Sequence, residues 1–171
     1  MDKRERTEIL SILVSNEANV TARLGSLFGR RGFNIDSFTA SPTNDPKLTR
    51  ITIVTTGDDR KFDQILTQTA KQEFVKTIGI MKHDSIYREL LLLKVKCGKK
   101  ERTEIKQIVD IFEGRILHLS KKSMIIEVTG DSTKIDDFMY MMDSFDLIDV
   151  CRTGITGITR GDAGISDPVE D

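Results

Sequence analysis

The sequence predicts an α+β protein made of two consecutive βαββαβ units. Two observations support this prediction. First, apolar residues recur with a period of two in some segments and at helical spacing in others, and these segments follow one another as strand, helix, strand, strand, helix, strand. Second, that order occurs twice, and each occurrence contains a similar motif, T-G-D-D-R-K-F-D from Thr56 and T-G-D-S-T-K-I-D from Thr129. The motif lies in both cases between the third strand and the second helix, which indicates an internal repeat.

The first unit begins with a strand and a helix. The strand is predicted over Thr7–Val14 and the helix over Val20–Arg31. Apolar residues spaced as on one face of a helix are Val20, Leu24, Leu27 and Phe28. Asn19 precedes this face, and we expect its side chain to cap the free N–H groups of the helix. Gly32 follows the helix, where a left-handed residue is favoured.

The rest of the first unit is predicted as two strands, a helix and a strand. The strands cover Asn34–Ser41 and Thr49–Thr56, Asp58 or Asp59 caps the helix, and the last strand covers Phe74–Lys82. This order is the ferredoxin-like motif. Its helices cover one face of an antiparallel sheet, so we expect a second domain or another copy to cover the other face.

The second unit is predicted to be a shorter version of the first. Its strands are expected over Ile86–Val95, Arg115–Leu119, Met124–Thr129 and Leu147–Thr153, and the middle two form a hairpin. The apolar faces of its two helices contain Ile105, Ile108, Val109 and Phe112, and then Ile135, Phe138, Met139 and Met142. We therefore expect domains at 1–83 and 84–160, with an acidic, glycine-containing and disordered tail at 161–171.

The composition argues against nucleic-acid and membrane partners. The chain has 171 residues and a net charge of −1, so it has no general attraction to polyanions. No apolar run approaches the roughly 20 residues of a membrane span. Cys97 and Cys151 form no C-x-x-C motif, which favours a cytoplasmic location with free thiols. Arg31–Phe38 partly matches an aromatic RNA-binding motif, but Ile35 replaces one aromatic residue and the segment falls on the wrong strand of the unit.

Few residues are candidates for catalysis or metal binding. His83 and His118 are the only histidines, and neither has a cysteine or carboxylate at metal-ligand spacing, so we expect no metal site. No nucleophile-elbow, Walker or dinucleotide-binding motif occurs. Cys97 lies in K-C-G-K-K and is more simply a thiol at a strand end than a nucleophile. The sequence therefore favours a binding or regulatory protein over an enzyme.

The turn before the first helix is the strongest candidate for a binding site. It brings the polar residues Ser15–Asn19 to a helix N-terminus, whose free N–H groups and partial positive charge suit a carboxylate or phosphate. Asn34 begins the next strand and could lie near such a site. A simpler interpretation remains open, in which Asn16 and Asn19 form a turn and a cap and Asn34 follows a glycine turn.

Three segments together resemble a known family. S-N-E-A-N-V, R-R-G-F-N-I-D-S-F-T-A-S-P-T-N-D-P and L-T-R-I-T-I-V are similar to the small, regulatory subunit of acetolactate (acetohydroxyacid) synthase, whose N-terminal half is an ACT domain. The resemblance extends to T-G-I-T-G-I-T-R-G-D at Thr153–Asp162. It implies that this chain is not catalytic. The catalytic large subunit would carry thiamine diphosphate, Mg and FAD, and the small subunit would activate it and confer feedback inhibition by valine, leucine or isoleucine.

The resemblance also implies where the effector binds. Paired ACT domains of a homodimer hold the amino acid at their interface, with its carboxylate on the helix N–H groups. The matching positions here are Asn16, Glu17, Ala18, Asn19 and Val20 at the helix N-terminus, with Asn34 and Ile35 from the partner chain. The family usually has Gly where this chain has Asn19, whose side chain would occupy space at the site. An amino-acid-sensing module without an enzyme partner is the alternative function.

Overall fold

The structure, a computed structural model, describes residues 5–162 and Gly164. The chain forms two compact units, one comprising the residues up to Ile86 together with the segment from Gly157, and the other Tyr87–Thr156. Each is built on an antiparallel sheet with two helices, so the predicted α+β fold with two βαββαβ units is confirmed. Most of the predicted tail, 161–171, lies outside the described residues.

The first unit has its strands in the order β2-β3-β1-β4, with all neighbours antiparallel. Its elements are β1 (Arg6–Ser15), α1 (Val20–Arg30), β2 (Ser37–Pro42), β3 (Leu48–Gly57), α2 (Asp59–Ala70) and β4 (Val75–Ile80). β1 therefore lies inside the sheet and β2 at one edge. The predicted apolar face of α1 is buried against the sheet, together with Leu10 and Ile12 of β1 and Phe62 and Ile65 of α2.

The opposite face of this sheet is covered as well. Residues that alternate with the core positions of β1 and β3 are also buried, namely Ser11, Leu13, Thr52 and Val54. Arg50 lies on the same side of β3 and donates from Nη1 to the carbonyl of Gly157 at 3.3 Å. Loss of hydration on burial lowers the pKa of Arg50. The segment that begins at Gly157 therefore packs with the first unit.

The second unit has the strand order β6-β7-β5-β8. Its elements are β5 (Ile86–Lys96), α3 (Glu101–Ile111), β6 (Arg115–Leu119), β7 (Ser123–Gly130), α4 (Ser132–Met142) and β8 (Leu147–Arg152). A short strand, β9 (Thr156–Ile158), follows and was not predicted. The core again lies between sheet and helices, and Leu91, Leu93 and Phe138 are each completely buried. Within the described residues, no helix is long and apolar enough to cross a membrane.

The repeated T-G-D motif has the same structure in both units. Asp58 and Asp131 each accept a hydrogen bond of 2.9 Å from the backbone N–H three residues later, and so cap α2 and α4. A β-carbon added to Gly57 would come within 3.1 Å of the Lys61 side chain. One added to Gly130 would come within 2.6 Å of the Lys134 side chain. The lysine stem packs against the glycine in each unit, which accounts for the shared glycine. The helix cap accounts for the shared aspartate.

β2 begins later than predicted, at Ser37 rather than at Asn34. Gly32 has a φ of 70°, in agreement with the left-handed residue expected after α1. The chain from Phe33 to Asp36 is then irregular, and Asn34 Nδ2 donates to Asp36 Oδ1 at 2.6 Å. A local bond between polar side chains thus replaces strand structure where hydrophobic alternation alone predicted a strand.

Candidate functional site

The turn between β1 and α1 is exposed and anchored at its start. Asn16, Glu17, Ala18 and Asn19 are exposed, whereas Val20 is buried in the core. The N–H of Ser15 donates to the carbonyl of Phe74 at 2.8 Å, and the N–H of Asn16 to that of Lys47 at 2.7 Å. The turn is therefore fixed both to the beginning of β4 and to the loop between β2 and β3.

The N-terminus of α1 has no side-chain cap. Asn19 adopts the left-handed region, with φ 66°, and its side chain makes no capping hydrogen bond. The prediction that Asn19 caps the helix is therefore wrong, because a capping side chain requires an extended backbone at that position. The first turn of α1 also contains no acidic residue.

The other three helices have carboxylate side chains at their N-termini. α2 and α4 have aspartate caps, and α3 has Glu101 and Glu104 in its first turn. Among the four helices of residues 5–162, only α1 has neither a capping side chain nor a carboxylate in its first turn. Its free N–H groups and helix dipole are thus available to an external anion.

A cavity of about 160 Å³ adjoins this turn. Its charged lining consists of two carboxylates and two cations, Glu17, Glu73, Arg23 and Lys76. The Arg23 guanidinium lies 4.4 Å from the centre of the Phe74 ring. A ligand with both a carboxylate and an ammonium group would find partners for each.

Arg23, Phe74 and Lys76 were not predicted as site residues, because α1 and the segment around β4 are distant in the chain and meet only after folding. The sequence did contain one signal for this site, because Arg23 lies near the start of a helix whose first turn has no acidic residue.

The side chain of Asn16 connects the turn to the loop between β2 and β3. Its Nδ2 donates to the carbonyl of Pro46 at 3.0 Å. Within the loop, Asp45 Oδ1 accepts a bond from the N–H of Lys47 at 2.9 Å, which stiffens the same segment. Asn16 therefore positions a loop in addition to lying at the predicted site.

Asn34 and Ile35 do not reach the turn within one chain. The carbonyl of Asn34 accepts a bond of 2.5 Å from Thr55 Oγ1, and Thr55 pairs with Glu8 near the beginning of β1. The turn follows Ser15 at the other end of β1. Since a strand rises about 3.3 Å per residue, the two places are roughly 20 Å apart. The expectation that Asn34 lies near the turn is not met within a single chain.

The backbone at Asn19 provides a test of the turn's geometry. Asn19→Ala should lower the free energy of unfolding by about 1 kcal/mol, because alanine tolerates left-handed φ less well than asparagine does. Asn19→Gly should leave the stability unchanged or slightly raised. Urea unfolding measures both, with Asn44→Ala in an exposed loop as the control. Equal unfolding free energies for Asn19→Ala and Asn44→Ala would contradict the left-handed assignment.

The described part of the chain contains no group of three or more His, Cys, Asp or Glu side chains arranged to hold a metal ion. Cys97 is buried, Cys151 is exposed, and both thiols are free. His118 lies on β6, away from either cysteine in the sequence. The candidate site is the turn before α1, where the uncapped helix N-terminus suits the binding of an anionic group.

Two family models match the chain. One, described as "AHAS small subunit-like ACT domain", matches residues 10–76, and the other, described as "Small subunit of acetolactate synthase", matches residues 88–161. The probable acetolactate synthase small subunit of Methanothermobacter thermautotrophicus is 40% identical over 157 residues, which cover 91% of this chain and 94% of the relative. The acetolactate synthase isozyme 3 small subunit of Escherichia coli is 35% identical over 156 residues, which cover 90% and 96%.

A solved structure agrees with the sequence relatives. The crystal structure of the acetolactate synthase small subunit from Thermotoga maritima superposes with a TM-score of 0.86 at 34% sequence identity. The match covers 92% of this chain and 99% of that one. The likeness therefore includes both units.

Proposed function

Because the chain belongs to the family of acetolactate synthase small subunits, we propose that it is the feedback sensor of that enzyme and that its effector is a branched-chain amino acid, foremost valine. The small subunit of this family is regulatory and does not catalyse the reaction by itself. Its partner is the catalytic large subunit of branched-chain amino-acid biosynthesis, to which the cofactors belong. The observation that carries the proposal is the uncapped N-terminus of α1.

The chemistry of this N-terminus supports an amino-acid ligand. The ligand carboxylate would accept hydrogen bonds from the free N–H groups of the first turn, where the helix dipole adds favourable charge. Glu17, on the cavity wall, would face the ammonium group. Since the whole Val20 residue is only 4% exposed and packs in the core of the first unit, its side chain supports the helix rather than lining a ligand site.

We propose that a second copy completes the site. β2 is an edge strand, so one row of its backbone groups is available for pairing. Antiparallel pairing of two β2 strands about a two-fold axis would place the start of one strand beside the end of the other. Asn34 and Ile35 of one copy would then lie beside the loop that Asn16 holds in the other. This arrangement resolves the separation found within one chain.

The domain organisation and location are part of the same proposal. We place an ACT domain at 1–83 and a ferredoxin-like domain at 84–160, which the family matches to 10–76 and 88–161 support. The free thiols of Cys97 and Cys151 support a cytoplasmic location.

Reconstitution with the catalytic subunit of the same organism tests the proposed function. Addition of the chain should raise the rate of acetolactate formation and make that rate sensitive to valine. Asn34→Ala should retain the activation but raise the valine concentration for half-inhibition at least about tenfold, because a hydrogen bond to a charged group is lost. Gln107→Ala, which removes an exposed amide side chain from α3 of the second unit, serves as the control.

An unchanged rate, together with failure of the two subunits to co-purify, would refute the proposal. Amino-acid binding in that case would identify the chain as a sensing module that acts without an enzyme partner.

A further inference from the structure

We infer that strand β6 and the hairpin after it, Arg115–Lys122, form the surface of the second unit that binds the catalytic subunit. We refer to these residues as the basic edge. The inference rests on the proposed function, in which the chain acts in a complex, and adds which surface makes the contact.

The basic edge exposes a cluster of large apolar side chains. Ile116, Leu117 and Leu119 are 37%, 53% and 51% exposed, and the other two residues of β6 are exposed as well. β6 is the terminal strand of its sheet, so one of its sides has no neighbouring strand within the described sheet. Single exposed apolar residues are ordinary, but several on one edge strand form a patch that typically marks an interaction site.

All the charge on the basic edge has one sign. Arg115, Lys121 and Lys122 are exposed, and none of them takes part in an ion pair among the described residues. Residues 115–122 contain no aspartate or glutamate. A partner with an apolar patch bordered by carboxylates would match both the apolar side chains and the positive charge.

A cavity of about 590 Å³ lies at the hairpin end of this surface. Lys121 and Lys122 contribute to its wall, together with Phe145. Three carboxylates also line it, and none of them forms an ion pair with either hairpin lysine in the described part of the chain. Asp146 binds Lys96 at 2.9 Å, Glu101 accepts a bond from the N–H of Gly98, and the third is Glu104. The two hairpin lysines therefore remain available to an acidic side chain that enters the cavity.

The basic edge is poorly suited to binding a second copy of this chain. In a two-fold symmetric contact the basic edge would face itself, and its cations would meet like charges. β6 also has a bulge, because its register against β7 shifts between Ile116 and His118. A bulge disturbs the row of backbone groups that an added strand requires. These features favour a side-chain contact with a different, acidic protein surface.

Charge reversal and apolar truncation test the inference in the full chain. The variants are Lys121→Glu/Lys122→Glu and Leu117→Ser. The matched control is Arg60→Glu/Lys71→Glu, which reverses two exposed cations of the first unit. The measurement is the affinity for the catalytic subunit at low and at physiological salt. Circular dichroism and valine binding confirm that each variant is folded.

Lys121→Glu/Lys122→Glu should weaken the binding about 100-fold at low salt, because like charges then face each other across the interface. Leu117→Ser should weaken it about tenfold through lost apolar contact at both salt concentrations. The control should stay within about threefold of the wild type, as expected for charges outside a contact surface.

Three results would overturn the inference. One is an unchanged affinity in both basic-edge variants, and another is a loss in the control as large as that in Lys121→Glu/Lys122→Glu. The third is retained affinity for the catalytic subunit with altered self-association in light scattering, which would make a second copy the occupant. Failure of the wild type to bind the catalytic subunit would instead refute the proposed function, and this inference with it.

Discussion

Replacement of Arg152 by methionine should lower the free energy of unfolding by about 3–5 kcal/mol, because it leaves a buried carboxylate without its countercharge. The Glu89 side chain is 3% exposed. The Arg152 guanidinium donates to both of its oxygens, from Nε and, at 3.0 Å, from Nη2. The hydrogen bond to Glu89 raises the pKa of Arg152 above its ordinary value, so the charged form is favoured.

Two further variants separate the buried pair from a general loss of charge. Glu89→Gln/Arg152→Met should recover most of the lost stability, since replacement of both members of a buried ion pair by neutral side chains commonly costs little. Arg88→Met removes an exposed cation from the same unit and should cost less than about 0.5 kcal/mol. The chain contains no tryptophan, so urea unfolding is followed by circular dichroism. A loss for Arg152→Met no larger than that for Arg88→Met would contradict the prediction.

Introduction of a carboxylate at the N-terminus of α1 should abolish most of the effector response. Thr21 is exposed in the first turn of α1. Thr21→Asp should raise the free energy of unfolding by about 0.5 kcal/mol, because the new negative charge interacts favourably with the positive end of the helix dipole. It should also raise the valine concentration for half-inhibition about 100-fold, because it repels the ligand carboxylate and competes for the same N–H groups. The variant should therefore be more stable than the wild type but less sensitive to valine.

The second unit offers a matched control for this variant. Thr133 is exposed at the corresponding position of α4, whose N-terminus Asp131 already caps. Thr133→Asp should leave valine sensitivity unchanged, since α4 lies outside the proposed site. Normal valine inhibition in Thr21→Asp, with the helix intact, would exclude the first turn of α1 as the carboxylate site.

Most of the fold could be predicted because hydrophobic periodicity reflects burial directly. The four apolar positions predicted for α1 are the four that the structure buries. Asp58, one of the two residues predicted to cap α2, does so, because an aspartate next to a helix start has a strong local role. The repeated T-G-D motif lies at the start of α4 as predicted, and its Asp131 is the cap there. β9, only three residues long, carries too little pattern to be detected.

The candidate site was less predictable, because its details depend on backbone angle and distant contacts. Asparagine favours both helix caps and left-handed backbone, so the sequence could not distinguish the two at Asn19. The bond from Asn16 to Pro46 joins residues far apart in the chain. The pair of Glu89 and Arg152 was also missed, since charged residues on strands are usually exposed and only tertiary packing buries this glutamate.

Calorimetric titration of the purified wild-type chain with valine, leucine and isoleucine tests the central claim most directly. We expect saturable binding of at least one of them, and an affinity weaker by about 100-fold in Thr21→Asp and by at least about tenfold in Asn34→Ala. One variant blocks the helix N-terminus, and the other removes the group that we propose a second copy supplies. Binding with the wild-type affinity in both variants would contradict an effector site at the N-terminus of α1. The absence of saturable heat with all three amino acids would contradict feedback sensing by this chain.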